Sequence, residues 1–256
     1  MITTAHRYGN FSSSEIWKLM TNDTKGNPGK PAQTYLTEKV YEARLGRPIA
    51  TDSDSKATIW GKFMEGYVHD EKIPLDYKLC SRERLFHPTI ERWTGMPDLI
   101  KGDTVVDIKC PQLKSFCELA DICSIQNYNN DVNDFNEVNG QMLKSIYPEY
   151  YWQLVSNAIL TGCDKAELIV FCPFQSELDA IRQRAFAAEA LEWGNKLYFI
   201  QYGEDGELPY LKDGGYYNNL NIINFAVSEE DKAALTARVE WAVNELNVLR
   251  VYVRRA

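Results

Sequence analysis

Between Gly95 and Pro111 the chain reads Gly-Met-Pro-Asp-Leu-Ile-Lys-Gly-Asp-Thr-Val-Val-Asp-Ile-Lys-Cys-Pro, and its chemistry lies in Asp98, Asp107 and Lys109. Gly95-Met-Pro97 supplies a bend, Lys101-Gly-Asp103 a turn, and Thr104 to Cys110 a β-branched run, so the stretch predicts two short strands joined by a turn. Side chains two apart on a strand emerge on one face, which sets Asp107 beside Lys109; a hairpin brings Asp98 opposite them. Two carboxylates and an ammonium at one end of a sheet suit a hard divalent cation and the water it activates. An Asp-x-Lys pair alone equally suits a solvated strand face. What the rest of the chain brings to it decides between the two.

Several elements are needed to position these groups. Arg7 to Met20 reads as a loop followed by a helix, with the Ser12–Ser14 run as cap candidates, Glu15 in the first turn and Ile16, Leu19 and Met20 on one face. Ser hydroxyls at a helix start, preceded by an Arg, make either a plain capped helix or a phosphate site. Residues 21 to 32 form a loop, Thr34 to Leu45 an amphipathic helix ending at Gly46, and Ser55 to Lys72 another with Trp60, Phe63, Met64, Tyr67 and Val68 on its stripe. Glu65 sits beside that stripe, where a helix glutamate is either solvated or directed at what the helix covers.

Tyr77 to Leu99 is strand-like with turns, and His87 there has no assigned role. Residues 112 to 138, rich in Asn and Asp in their second half, predict an irregular insertion. Glu137 to Gly162 predicts one helix carrying Tyr150-Tyr-Trp-Gln153, Glu167 to Phe174 a central apolar strand, Ile181 to Asn195 a helix, Lys196 to Tyr202 a strand, and Gly203 to Asn219 a connector. From Ser228 a last helix places Leu235, Val239, Ala242, Leu246, Leu249 and Val253 on a heptad-like seam, which either packs on its own domain or serves as a contact between subunits.

Composition narrows the class. Hydrophobic content of 45% and charged content of 25% describe an ordinary globular chain, read as one domain over residues 1 to 256. No apolar run is long enough to cross a bilayer, and the first residues lack a signal core, so a cytoplasmic location is expected. Six cysteines without a CxxC pair predict reduced thiols, which speaks against an iron–sulfur cluster. The net charge of −8 does not advertise a nucleic-acid binder, so any DNA contact would use a local basic groove.

Four separated pieces together resemble the lambda exonuclease (YqaJ-like) family of the PD-(D/E)xK nuclease superfamily. They are Arg7-Tyr-Gly-Asn-Phe-Ser-Ser-Ser14-Glu-Ile, Trp60-Gly-Lys-Phe-Met-Glu65, Gly95-Met-Pro-Asp98 with Asp107-Ile-Lys109-Cys-Pro, and Tyr151-Trp-Gln153-Leu with Thr161-Gly162. Asp107 stands where relatives often carry Glu, Met96 where some carry Ser, and the 112 to 138 segment looks longer than usual.

The resemblance implies an α/β (α+β) fold: a central mixed β-sheet flanked by helices, with the restriction-endonuclease-like core. It implies catalytic Glu65, Asp98, Asp107 and Lys109; Mg²⁺, with Mn²⁺ as a substitute and two ions per site, on Glu65, Asp98, Asp107 and the Ile108 carbonyl; and Arg7, Ser14 and Gln153 on a DNA 5′-phosphate. Lys62 and Lys114 either meet the DNA backbone or are solvated. The activity implied is 5′–3′ digestion of one strand of linear duplex DNA for phage-type annealing recombination, by a ring-shaped trimer partnered with a single-strand annealing protein in a bacterial host. Two alternatives remain: an endonuclease on the same core, and a catalytically silent DNA-end binding module.

Overall fold

The computed structural model describes residues 8–49, 55–80, 84–128, 135–188 and 193–252. Arg7 and Val253, both singled out in the sequence, lie outside the described residues. In chain order the elements are β1 (Phe11–Ser12), a 3₁₀ helix (Ser13–Met20), α1 (Lys30–Leu45), α2 (Lys56–Glu71), β2 (Lys78–Leu79), β3 (Leu85–Phe86), β4 (Trp93–Gly95), β5 (Leu99–Lys101) and β6 (Thr104–Lys109). There follow α3 (Leu113–Tyr128), α4 (Phe135–Ile146), α5 (Pro148–Thr161), β7 (Lys165–Phe171), α6 (Leu178–Ala187), α7 (Tyr198–Tyr202), β8 (Leu220–Ala226) and α8 (Glu229–Tyr252).

β7 explains the layering. Its Ala166, Leu168 and Val170 enter one apolar core and its Ile169 and Phe171 the other, so both faces of the strand are buried, as its continuous apolar run requires. It pairs in parallel with β6 and antiparallel with β8, giving a five-stranded mixed sheet in the order β2-β5-β6-β7-β8. α1, α3, α4, α5 and α8 contribute to the core on one face, and α2, α6 and α7 to the core on the other. A second, three-stranded sheet, β1-β4-β3, carries the 3₁₀ helix at its edge. The fold is the mixed α+β class expected, with helices on both sides of the central sheet.

Local signals account for the element ends. The Ser55 side chain accepts from Thr58 N and starts α2, and Gly46 closes α1 in the left-handed conformation. Gly102, at φ 60°, makes the tight β5–β6 turn.

Three expectations are corrected, and one strand is added. Residues 113 to 128 are helical rather than irregular: Phe116, Leu119, Ala120 and Cys123 fall at helical spacing and are buried, a pattern masked by the polar residues that follow. Residues 129 to 134 of that segment lie outside the described residues. The single helix over 137 to 162 is two, because Pro148 lacks an N–H and opens α5 while α4 ends at Ile146. Lys196 to Tyr202 is not a strand: Leu197 and Ile200 are buried while Tyr198 and Tyr202 face out, a helical period that outweighs the β-propensity of the aromatics. Leu220–Ala226, passed over in the sequence, is an edge strand of the central sheet.

The C-terminal seam packs on its own chain through Leu235, Val239, Ala242 and Leu246, all fully buried, whereas Leu249 is exposed. Among the described residues no helix is long and apolar enough to cross a membrane.

Candidate active site

The site forms where two strands part. β5 and β6 pair from Lys101↔Thr104 to Leu99↔Val106, and beyond Val106 the strand β6 continues beside β7 alone. Asp98, the residue before β5, turns into that opening, and its Oδ2 accepts the Ile108 N–H at 2.8 Å. Asp107 and Lys109 project together from β6, and Lys109 Nζ forms an ion pair with Asp107 Oδ2. That oxygen is fully buried and has no hydrogen-bond partner beyond the ion pair. Asp107 Oδ1 accepts from Gln153 Nε2 at 2.7 Å. Glu65 comes from α2, whose apolar side chains pack with Val106 and Ile108.

Crowding shows in the protonation of these groups. Burial pushes the Glu65 carboxyl up to about 7; Asp107 adds to the rise, while Lys109 and Lys62 oppose it. Burial, then Asp107 and Glu65, raise Asp98 to about 8 against the pull of Lys109 and the Ile108 N–H. Burial alone would depress Lys109, but Asp107, Asp98 and Glu65 together outweigh it and hold the ammonium well above the usual lysine range. Lys109 is therefore a fixed positive charge here.

Among the described residues no group of three or more His, Cys, Asp or Glu side chains already stands in an arrangement that could hold a metal ion. The donor set still fits a hard cation: two carboxyls driven towards protonation by burial and by their acidic neighbours, a third with an oxygen lacking a hydrogen bond, and no soft ligand among them. Lys109 supplies the balancing charge.

Beside this cluster lies a cleft of about 850 Å³. Ser12, Ser13 and Ser14 line it with Lys39, Arg47, Arg84 and Gln153, so Gln153 belongs both to the cleft and to the Asp107 hydrogen bond. The serine hydroxyls are not spent on capping. Ser12 is the N-cap without a side-chain cap bond, and its Oγ lies 3.3 Å from Ser14 Oγ. Ser13 is buried, with Oγ 2.8 Å from Ser156 Oγ and donating to the Thr94 carbonyl at 3.3 Å. Gly95 is required at this floor, since a Cβ there would collide with Ser13 Oγ and stand 2.6 Å from both Asn157 Oδ1 and Leu160 Cδ1.

The structure thus gathers Glu65, Asp98, Asp107, Ile108 and Lys109, and sets Ser14 and Gln153 on the adjoining cleft. Lys62 is exposed near Glu65, and Lys114 is exposed and pairs with Glu118 at 3.7 Å, so neither lines the cleft. Sequence reasoning passed over Lys39, Arg47 and Arg84. Lys39 left one trace, an i,i+3 spacing to Glu42, and its Nζ lies 3.1 Å from both Glu42 oxygens in a buried pair. Arg84, just before β3, donates to Thr94 Oγ1 of the paired strand β4 at 3.1 Å, a contact no sequence motif marks.

No protein-family model matches the chain, and no curated protein matches it. Solved structures do. An alkaline exonuclease, LHK-Exo from Laribacter hongkongensis, is 16% identical with a TM-score of 0.61, over 97% of this chain and 93% of that one. The same protein in complex with dAMP gives a TM-score of 0.62 at 16% identity, over 98% and 94%. A phage-related exonuclease from Haemophilus somnus 129PT gives 0.56 at 14% identity, over 96% of each chain. The chain shares the fold of these alkaline and phage-related exonucleases, consistent with the lambda exonuclease family that its motifs resemble.

Proposed function

We propose that the protein is a Mg²⁺-dependent exonuclease that digests one strand of linear duplex DNA in the 5′–3′ direction from a 5′-phosphorylated end. The observation that carries this reading is the link through Gln153, which joins the carboxylate–lysine cluster to a cleft lined by hydroxyls and cations. Guanidinium, ammonium and hydroxyl donors suit a terminal phosphate, and a carboxylate cluster one residue away suits hydrolysis of the next phosphodiester.

In this reading Ser14, Gln153 and Arg7 orient the terminal phosphate. Glu65, Asp98, Asp107 and the Ile108 carbonyl would hold Mg²⁺, in one or two ions, which when bound supplies a more acidic water and polarises the phosphoryl oxygens. Lys109 orients the attacking water or a phosphate oxygen by donating from Nζ, or takes the water's proton once Mg²⁺ on the neighbouring carboxylates offsets the charges that hold it as an ammonium. The Ile108 N–H fixes Asp98, and Gln153 fixes Asp107, so both carboxylates are aimed before substrate arrives. A ring-shaped trimer would reconcile the net charge of −8 with DNA binding by gathering basic groups inside, and an annealing protein would take the exposed 3′ strand.

The test is digestion of linear duplex DNA beside a covalently closed circle, with and without Mg²⁺. Loss of the linear molecule alone, only with Mg²⁺, supports the reading. Cutting of the circle would replace it with an endonuclease, and binding without turnover with a silent end-binding module.

A further inference from the structure

Helix α5 touches both residues at the end of β6. Gln153 takes Asp107, and three residues earlier the Tyr150 ring lies beneath the Lys109 ammonium, with Nζ 5.7 Å from the ring centroid. Residues three apart share a helix face, so one surface of α5 addresses both members of the Asp-x-Lys pair. The Tyr150 ring is itself held: it stacks on Tyr147 at 5.4 Å with the planes 6° apart. The Tyr147 hydroxyl donates to Glu118 of α3, which ties the stack to a second helix.

A lysine ammonium rides on a flexible stem and has three donors without a fixed direction. Its ion pair with Asp107 sets one distance only, and it weakens whenever Asp107 engages another cation. The face of an aromatic ring attracts an ammonium independently of that carboxylate. We propose that Tyr150 is a positioning residue for Lys109, holding Nζ at the cluster when Asp107 is otherwise engaged, with Tyr147 and Glu118 as its support. The consequence for catalysis rests on the nuclease reading; the contact does not. The ring face is what matters, so phenylalanine serves in place of tyrosine and an aliphatic residue does not.

The test compares Tyr150→Leu with Tyr150→Phe. On 5′-phosphorylated duplex DNA, Tyr150→Leu lowers kcat about tenfold, equivalent to about 1.4 kcal/mol, with KM unchanged, and Tyr150→Phe restores it. A rise in KM instead, or a Phe variant as slow as the Leu variant, overturns the proposal. In parallel, the protein is labelled with ¹³C-lysine and the Lys109 ε-CH₂ resonance is assigned with Lys109→Arg. Ring-current displacement of that signal in the wild type and Tyr150→Phe, relaxed in Tyr150→Leu, is the expected result. An undisplaced wild-type signal overturns the proposal whatever the activity. A displaced signal in a protein that cuts no DNA overturns the nuclease reading while leaving the positioning of Lys109 by Tyr150 in place.

Discussion

At the scale of residues, the account rests on charge that the fold leaves unbalanced. Glu65 and Asp98 are carboxyls raised by burial to about 7 and about 8. In the unfolded chain both ionise in the ordinary carboxylate range, so between that range and about pH 8 the folded protein binds more protons than the unfolded one. Their contribution to stability is thus present at low pH and is lost progressively as pH climbs to the folded values. For metal-free protein, the melting midpoint should fall between about pH 5 and about pH 8, and Asp98→Asn should flatten that slope. Added Mg²⁺ should raise the midpoint more at the upper end, because ligation needs the ionised carboxylates. A midpoint that rises with pH across this window, in a variant-insensitive way, would contradict the assignment. The Asp107–Lys109 adjacency was legible because a strand's period of two is local. The Tyr150–Lys109 contact was not, because it joins a helix and a strand that only the tertiary fold brings together.

At the scale of elements, the sheet does the positioning. β6 is anchored by β7 along its whole length and by β5 over only half of it, and the half without β5 carries Asp107 and Lys109. Helix α8 supports the layer behind. Leu246 is fully buried in the same core as α5 and β7, so Leu246→Ala should cost about 2–5 kcal/mol in denaturant unfolding, whatever the protein concentration. A cost that vanishes on dilution would instead make the helix a contact between subunits. The strong elements were readable where one signal dominated, as in the capped start of α2 and the doubly buried β7. The helices α3 and α7 were not, because polar and aromatic composition hid a helical period carried by a few buried positions.

At the scale of the whole molecule, the proposed function asks an acidic chain to confine cations to where DNA would lie. The cleft does so in part, gathering Lys39, Arg47 and Arg84 beside the serine run, while Glu15 and Glu42 line it too. Sequence motifs pointed to the fold, but the cleft's cations come from α1, the turn after it and the approach to β3, which no motif unites. The measurement that tests the central claim most directly is digestion of a linear duplex carrying a 5′-phosphate on one strand only, with Mg²⁺, by the wild type and by Asp107→Ala. The account predicts loss of the phosphorylated strand alone, slowed at least about 10²–10³-fold in the variant. Equal loss of both strands, or an Asp107→Ala protein that digests at the wild-type rate, would contradict it.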